Sequence, residues 1–102
     1  MLFRSPSDSD EFVTYRPVPN PFSQGMRMAY SVGSAGERVS INIYDLTGRL
    51  VRTLASGFQS PGRHSVAWDG RDEHGTRMRD GMYFVQARIG NQARQVRVTF
   101  LR

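Results

Sequence analysis

The chain has 102 residues and a formal charge of +5, with 14 basic and 9 acidic side chains and no cysteine. That length is enough for a single domain with a thin core. Its longest apolar runs are about four residues, far short of the roughly 20 that a membrane-spanning helix requires, and the absence of cysteine excludes disulfides and thiolate chemistry.

The first segment, Met1–Glu11, is polar after Phe3 and consists mainly of serine, aspartate and proline. Such a composition buries too little apolar surface to order itself. We therefore expect residues 1–11 to form a flexible linker or N-terminal extension, and residues 12–102 to form the folded domain.

The rest of the chain alternates apolar and polar residues, the pattern of strands that bury one face. The alternating segments are Met26–Val32, Val39–Ile43, Ser65–Trp68, Tyr83–Ile89 and Gln95–Phe100, with a less regular strand at Leu50–Leu54. Turn signals separate them at Gly33–Gly36, Asp45–Gly48, Gly57–Gly62, Asp69–Gly75, Asp80–Gly81 and Gly90–Asn91. About six or seven short strands at this spacing predict an all-β fold, an antiparallel β-sandwich.

The core is expected around Trp68, the largest apolar side chain of the sequence. Its indole N–H needs a hydrogen-bond partner when the ring is buried. The predicted neighbours are inward-facing strand residues: Ile41, Ile43, Val66, Tyr83, Val85, Val98 and Phe100.

Several residues have predicted structural roles outside the strands. Proline disfavours the helical conformation of the residue before it, so Asn20-Pro21 indicates an extended segment or a turn, after which Phe22 can plug one end of the sandwich. We also expect positive φ at two turn glycines, Gly48 and Gly81.

Three stretches together resemble a known family. They are Pro19–Phe22, Val39–Arg49 with Val51 and Leu54, and Pro61–Asp72 with Gly75 and Asp80–Phe84. In this order and spacing, they resemble the immunoglobulin-like domain of flagellar hook-capping proteins and of the C-terminal sorting domains of type IX secretion substrates. The family positions include Asn20, Pro21, Phe22, Gly48, Trp68, Asp69, Gly70, Gly81 and Tyr83.

The resemblance implies an immunoglobulin-like β-sandwich of about seven strands with a non-catalytic role. It implies a C-terminal sorting or attachment domain of a secreted protein, at the outer-membrane surface or outside the cell, whose partner is the export or attachment machinery. One alternative is a structural module of an extracellular filament or hook-type assembly. A further alternative is an adhesion or carbohydrate-binding module.

Acidic residues in the longest loop raise the question of a metal. Asp69, Asp72 and Glu73 are weak calcium candidates, because Ca²⁺ takes six to eight oxygens and the loop lacks the acidic ladder of a helical calcium site. Turn capping by Asp69 is the favoured interpretation. His64 and His74 lack metal-ligand spacing, and no nucleophile–base pattern indicates an enzyme, so no cofactor is expected.

The remaining function is binding to a protein partner. All 14 basic residues are arginines dispersed singly, which does not favour nucleic acid. Met82 and Phe84 are expected on the outer face, exposed to a partner or covered by a loop or by the N-terminal segment.

The last strand, Gln95–Leu101, is a candidate open edge for pairing with another strand, including a second copy of the chain. The side chains expected to take part are Arg94, Arg97, Phe100 and Arg102. The alternative is a paired core strand whose arginines are merely solvated.

Overall fold

A computed structural model describes residues 16–102 of the chain. The predicted extension Met1–Glu11 and the predicted domain start at Phe12 lie outside these residues, so that boundary stays a prediction. Between residues 16 and 102, no helix is long and apolar enough to cross a membrane.

The described residues form two antiparallel sheets that face each other. The strands are β1 (Met26–Val32), β2 (Glu37–Tyr44), β3 (Leu50–Gln59), β4 (Gly62–Trp68), β5 (Gly81–Ile89) and β6 (Gln92–Phe100). One sheet pairs β1 with β4, and the other has the order β3-β2-β5-β6. The predicted antiparallel sandwich is confirmed.

The described residues contain six strands, where the resemblance implied about seven. The segment before β1 contacts both sheets but makes only single bridges, from Val18 to Arg27 in β1 and from Phe22 to Phe100 in β6. Proline has no N–H to donate to a ladder. The alternate prolines of this segment, Pro17, Pro19 and Pro21, therefore prevent a continuous strand.

The alternation read from the sequence corresponds to burial of every second side chain in β1, β2 and β5. All eight residues predicted for the core are buried. The full core comprises Phe22, Met26, Met28, Tyr30, Val32, Val39, Ile41, Ile43, Val51, Val66, Trp68, Tyr83, Val85, Ala87, Ile89, Val98 and Phe100.

An aromatic cluster closes one end of this core around Trp68. The ring of Tyr83 meets Trp68 edge-on at a centroid distance of 5.2 Å, and Phe22 lies 5.4 Å from Trp68 and stacks on Phe100 at 4.8 Å. The indole N–H donates to the carbonyl oxygen of Arg71 at 2.9 Å. Phe22 thus takes the predicted plugging position, and the buried indole has its partner.

The turn that follows Trp68 depends on a glycine. Gly70 has a φ of 80°, and a Cβ added there would lie 2.8 Å from the ring of Phe100. Both the left-handed backbone and the close ring exclude a side chain. Positive φ is also confirmed at Gly48 and Gly81, with values of 89° and 150°.

Strand β3 differs from its prediction in length. The sequence predicts a turn from Gly57, but β3 continues to Gln59, and Gly57 pairs with Val39. Gly57 has a φ of 126°, which glycine adopts without leaving the ladder. The expected irregularity near the start of β3 is confirmed, because the pairing with β2 skips Val51 and Leu54.

Candidate functional site

Strand β6 forms one edge of the four-stranded sheet, with β5 on its inner side. Thr99 turns both of its main-chain groups away from β5: its N–H donates to Asn20 Oδ1, and its carbonyl accepts from the N–H of Phe22. In an antiparallel ladder, such outward-facing residues alternate with bonded ones. Arg97, Gln95 and Ala93 therefore also direct their main-chain groups outward.

One end of this edge is closed by the segment before β1. The N–H of Phe22 donates to the Thr99 carbonyl at 2.9 Å, and the N–H of Leu101 donates to the Phe22 carbonyl at 2.9 Å. The Asn20 side chain accepts from Thr99 N–H at 2.9 Å and donates to the Arg97 carbonyl at 3.2 Å. Asn20 thus replaces a neighbouring strand for two successive outward-facing residues.

The other part of the edge has fewer partners. We call Ala93–Arg97 the open edge. The Ala93 carbonyl accepts from the guanidinium of Arg94 at 3.1 Å. Both main-chain groups of Gln95 and the N–H of Arg97 have no partner within residues 16–102. Together with the outward N–H of Ala93, for which the described residues also hold no partner, the open edge presents three donors and one acceptor to a further strand.

A hollow of about 560 Å³ lies beside the open edge. It is lined by Arg16, Pro17, Asn20, Met82, Val96, Arg97 and Thr99. A second hollow of about 320 Å³ lies on the outer sheet face and is lined by Tyr44, Asp45, Leu46, Gly48, Phe84, Gln86 and Gln95. The first hollow thus combines two guanidinium groups with apolar surface and has no carboxylate in its lining.

The charge distribution sets this region apart from the rest of the domain. Strands β5 and β6 contain Arg88, Arg94 and Arg97 but no carboxylate. The carboxylates of the described residues all accept a hydrogen bond or an ion pair within their own turn or a neighbouring segment: Glu37, Asp45, Asp69, Asp72, Glu73 and Asp80. Within residues 16–102, strands β5 and β6 therefore carry arginines but no carboxylate of their own.

Met82 and Phe84 lie on the outer face, as expected. Met82 is 37% exposed, and its sulfur lies 4.0 Å from a guanidinium nitrogen of Arg97. Phe84 is half-buried and lies directly opposite Arg97 in the β5–β6 ladder. Arg16 lines the same hollow as Met82, so the segment before β1 borders this surface. The structure brings Met82, Phe84 and Arg97 together.

Two of the other predicted interaction residues have different surroundings. Phe100 is fully buried and stacks on Phe22, so the expectation that its side chain meets a partner is wrong; the ring belongs to the core, where the sequence also placed it. Arg102 lies near Asp80, with its Nε 3.8 Å from Asp80 Oδ1. Among the predicted arginines, Arg97 is the one that lines the hollow.

Two of the three calcium candidates, Asp69 and Asp72, act as turn caps. Asp69 Oδ1 accepts from the N–H of Arg71 at 3.0 Å and from the guanidinium of Arg52 at 2.9 Å. Glu73 reaches outside the loop and accepts from the N–H of Thr53 in β3 at 2.8 Å. The favoured capping interpretation of Asp69 is thus confirmed. Within residues 16–102, no group of three or more side chains is arranged to hold a metal ion.

Asp72 caps the second half of the same loop. Its Oδ1 accepts from the N–H groups of Thr76 and His74, each at 2.9 Å. These bonds, with that from Thr76 contributing most, lower the pKa of Asp72 below its ordinary value. The pKa of Asp45 is lowered in the same way by hydrogen bonds from Thr47 and Arg49. Both carboxylates are therefore structural groups of their turns.

The remaining titratable candidate, His64, is also part of the scaffold. Its ring stacks on Tyr30 with a centroid distance of 5.6 Å, and its Nε2 lies 2.8 Å from the Ser60 carbonyl oxygen. Burial raises the pKa of the Tyr30 hydroxyl. The polar residues with recognisable chemistry thus stabilise turns and strand ends.

Sequence reasoning missed two features of the site: the presence of Arg16 and the edge-capping role of Asn20. The dipeptide Asn20-Pro21 signals a local extended conformation or turn, but contains no information on which distant strand the segment meets. The contact joins residues 77 and 79 positions apart. Only the tertiary arrangement identifies it.

The family model of the FlgD Ig-like domain matches residues 19–93, which is more than half of the chain. The chain belongs to this family. A curated relative, the basal-body rod modification protein FlgD of Salmonella typhimurium, is 35% identical over 60 residues, which make up 59% of this chain and 26% of that protein. The matched part thus spans about a quarter of the curated relative.

Solved structures share the fold of this FlgD Ig-like domain. PorZ of Porphyromonas gingivalis, an essential bacterial surface component of the type IX secretion system, matches with a TM-score of 0.67 and 26% identity over 96% of this chain and 13% of PorZ. FlgD from Pseudomonas aeruginosa matches with a TM-score of 0.55 and 22% identity, covering 85% of this chain and 74% of that one. The second likeness shows the fold alone.

Proposed function

We propose that this Ig-like domain is a non-catalytic sorting and attachment domain of a secreted cell-surface protein, of the kind used in type IX secretion. The observation that carries the proposal is the likeness to PorZ, which extends over 96% of this chain but only 13% of PorZ. A domain of this size is then one module of a much larger surface protein.

The use of the polar residues supports a binding role. Asp69, Asp72 and Glu73 accept hydrogen bonds from neighbouring backbone N–H groups, so their charges stabilise the loop rather than face a ligand. A different set of side chains, which includes Arg16 and Arg97, lines the hollow beside the open edge. Protein recognition through a strand edge and its flanking side chains suits this arrangement.

The test is export of a reporter passenger fused to the N-terminus of the chain, in a bacterium with a type IX secretion system. We expect the passenger at the cell surface or in the medium. Two matched fusions serve as controls: one carries Trp68→Ala, which should unfold the domain, and the other carries the Ig-like domain of P. aeruginosa FlgD. Both should stay inside the cell. A folded wild-type fusion that also stays inside would contradict the proposal.

A second candidate is a structural module of an extracellular hook-type assembly. The observation that favours it is the 35% identity to Salmonella FlgD. In that case, the purified chain should associate with the protein subunits of such an assembly, and the reporter fusion should not be exported. Co-sedimentation with assembled hook subunits, measured beside the export assay, distinguishes the two functions.

A further inference from the structure

The open edge offers main-chain groups in the geometry of an unfinished ladder. Gln95 directs both its N–H and its carbonyl outward, and Arg97 directs its N–H outward, without partners in residues 16–102. These residues remain in regular register with β5, Gln95 opposite Gln86 and Arg97 opposite Phe84. An extended segment can bond to such an edge as an additional strand.

The side chains beside this edge define what that segment should contain. On the outer face, Arg97 and Arg16 line the hollow without a carboxylate, so a side chain of the added strand on that face should be acidic. On the inner face, Val96 is half-buried at the rim of the core, so the next side chain should be apolar. Successive residues of a strand alternate between the two faces.

We propose that the open edge Ala93–Arg97 binds an extended segment of a partner protein with alternating acidic and apolar residues, which adds to the sheet as a strand beside β6. The inference deepens the proposed function, because it names the kind of segment that an attachment partner would present. Asn20 and Phe22 set one limit of the site, since they occupy the edge from the Arg97 carbonyl onward.

Charge argues against a second copy of the chain as the occupant. Antiparallel pairing of β6 with β6 of another copy would place side by side two strands that each carry Arg94 and Arg97, on opposite faces, and no carboxylate. Registers that set Arg97 opposite Arg97, or Arg94 opposite Arg94, are destabilised by like charges, and in every register two chains with a formal charge of +5 each approach one another. An acidic partner strand instead gains ion pairs with both Arg16 and Arg97 in the hollow.

The experiment titrates the complete chain with a capped seven-residue peptide that alternates glutamate and valine. Binding is followed by the NMR shifts of the backbone amides. We expect the largest shifts at Gln95 and Arg97, together with slower hydrogen exchange of these two amides. A peptide that alternates lysine and valine, and a glutamate–valine peptide with a central proline, should bind at least tenfold more weakly.

Proline substitutions test the main-chain contacts. Gln95→Pro removes an outward N–H and should weaken peptide binding about tenfold, while Gln95→Thr should retain it. Ser65→Pro is the matched control. Ser65 of β4 lies opposite Ala29 of β1. Its main-chain groups point away from β1, because Arg27, two residues before Ala29, bonds to Val18 on the far side of β1. Ser65→Pro should leave the affinity for the peptide unchanged.

Arg97→Glu tests the charge preference. It should weaken binding of the glutamate peptide by about fivefold or more and strengthen binding of the lysine peptide. Circular dichroism verifies that each variant is folded. The proposal is overturned if Gln95→Pro binds as well as Gln95→Thr, if the two charged peptides bind equally, if the amide shifts fall on β1 or β4, or if the free chain dimerises through β6.

The outcome is independent of the export assay, because the titration needs no secretion system. If the peptide binds as described and the reporter fusion is not exported, the proposed function fails and strand addition stands. If the wild-type fusion is exported and the peptide does not bind at β6, strand addition fails and the proposed function stands.

Discussion

The two edges of the four-stranded sheet are protected to different extents. At the β3 edge, the ladder with β2 skips Val51 and Leu54, and Glu73 binds the Val51 carbonyl through its N–H and the N–H of Thr53 through its carboxylate. At the opposite edge, β6 pairs with β5 in unbroken register over nine residues. Among residues 16–102, the cover on β6 lies at its C-terminal end and comes from the segment that contains Asn20 and Phe22.

Bulges, charged side chains and covering loops are the means by which proteins block unwanted strand pairing. The β3 edge has two of these at once, whereas the open edge of β6 has neither a bulge nor a covering segment among the described residues. The open edge does carry charged side chains, those of Arg94 and Arg97, and the comparison is consistent with the proposal that it accepts a strand with acidic residues. The comparison also shows that the charged loop after β4, which resembles a ligand site in the sequence, serves to cover β3.

The largest expected effect comes from Trp68, because both covering segments are anchored on it. Its indole N–H holds the Arg71 carbonyl of the loop, and its ring contacts Phe22 of the segment before β1. Trp68→Ala should destabilise the domain by about 3–5 kcal/mol, a large part of its total stability.

Urea unfolding measures the Trp68 effect. Trp68→Phe, which keeps an aromatic ring but removes the N–H, should retain more stability than the alanine variant. An alanine variant that unfolds at the wild-type urea concentration would refute the assignment of Trp68 as the shared anchor.

A pair of glycines in the loop that covers β3 separates steric from conformational effects. Gly70 and Gly75 have φ values of 80° and 83°, but a Cβ would clash with Phe100 only at Gly70. Gly75→Ala should cost about 1–2 kcal/mol for the left-handed backbone. Gly70→Ala should cost about 1–3 kcal/mol more for overpacking. Equal losses in thermal unfolding would show that the loop moves away from Phe100 freely.

A second pair of substitutions compares a position of β6 whose N–H bonds to β5 with a position whose N–H points outward. Val96 lies between the outward-facing Gln95 and Arg97, so its N–H belongs to the ladder with β5. Val96→Pro should lower the free energy of unfolding by about 2–3 kcal/mol, since it removes a ladder bond and leaves its acceptor unpaired. Gln95→Pro should cost less than about 1 kcal/mol.

Val96→Ala controls for the lost side chain at Val96. If Gln95→Pro destabilised the chain as strongly as Val96→Pro, in the same denaturant assay, the edge at Gln95 would be closed and the contrast with β3 would disappear.

Removing the cover of β3 should have a smaller effect. Glu73→Ala deletes the carboxylate that accepts from Thr53 N–H and should reduce stability by about 1 kcal/mol. Hydrogen exchange should accelerate at Thr53 while the amides of β6 keep their rates. The stability of Glu73→Gln, which retains an acceptor oxygen, should lie between that of the wild type and that of Glu73→Ala. Unchanged exchange at Thr53 would show that Glu73 does not protect the edge.

The smallest expected effect is a loss of folding stability at acid pH. The pKa of Asp72 is lowered in the folded state from an ordinary value of 3.8, first by the bond from Thr76, so the unfolded chain binds more protons as pH falls. The stability that this carboxylate contributes is present above about pH 4 and is lost as pH falls through its folded pKa.

Melting temperatures measured between pH 6 and pH 2 check the effect of Asp72. The wild type should lose stability over this range, and Asp72→Asn, which keeps an acceptor oxygen but does not titrate, should lose less. Parallel curves for the two proteins would mean that Asp72 does not contribute to the acid response.

The strand pattern could be predicted because it depends on local chemistry. Met26, Met28 and Tyr30 alternate with polar residues, and a strand with one buried face requires this period. The positive φ of Gly48 and the burial of Trp68 follow equally from residue type. At Gly57 the same reasoning was misleading, because glycine is compatible with a turn and also with a strand of unusual φ.

The site was less predictable because its contacts join residues that are far apart in the sequence. Sequence periodicity indicated that Gln95–Phe100 is a strand and that Arg97 faces away from the core, but the pairing of its edge depends on residues almost 80 positions away. The burial of Phe100 against Phe22 shows the same limit, since one residue suited both the core and the edge hypotheses.

The sequence by itself determined the alternating strands, the core residues around Trp68 and the turn chemistry of Asp69, since these depend on side-chain type and short spacing. The tertiary structure alone decided that Glu73 covers β3, that Asn20 closes one end of β6 and that Gln95 stays open within residues 16–102. Those contacts join segments far apart in the chain, and their main-chain groups are alike in every residue. Only their positions in space determine which of them are paired.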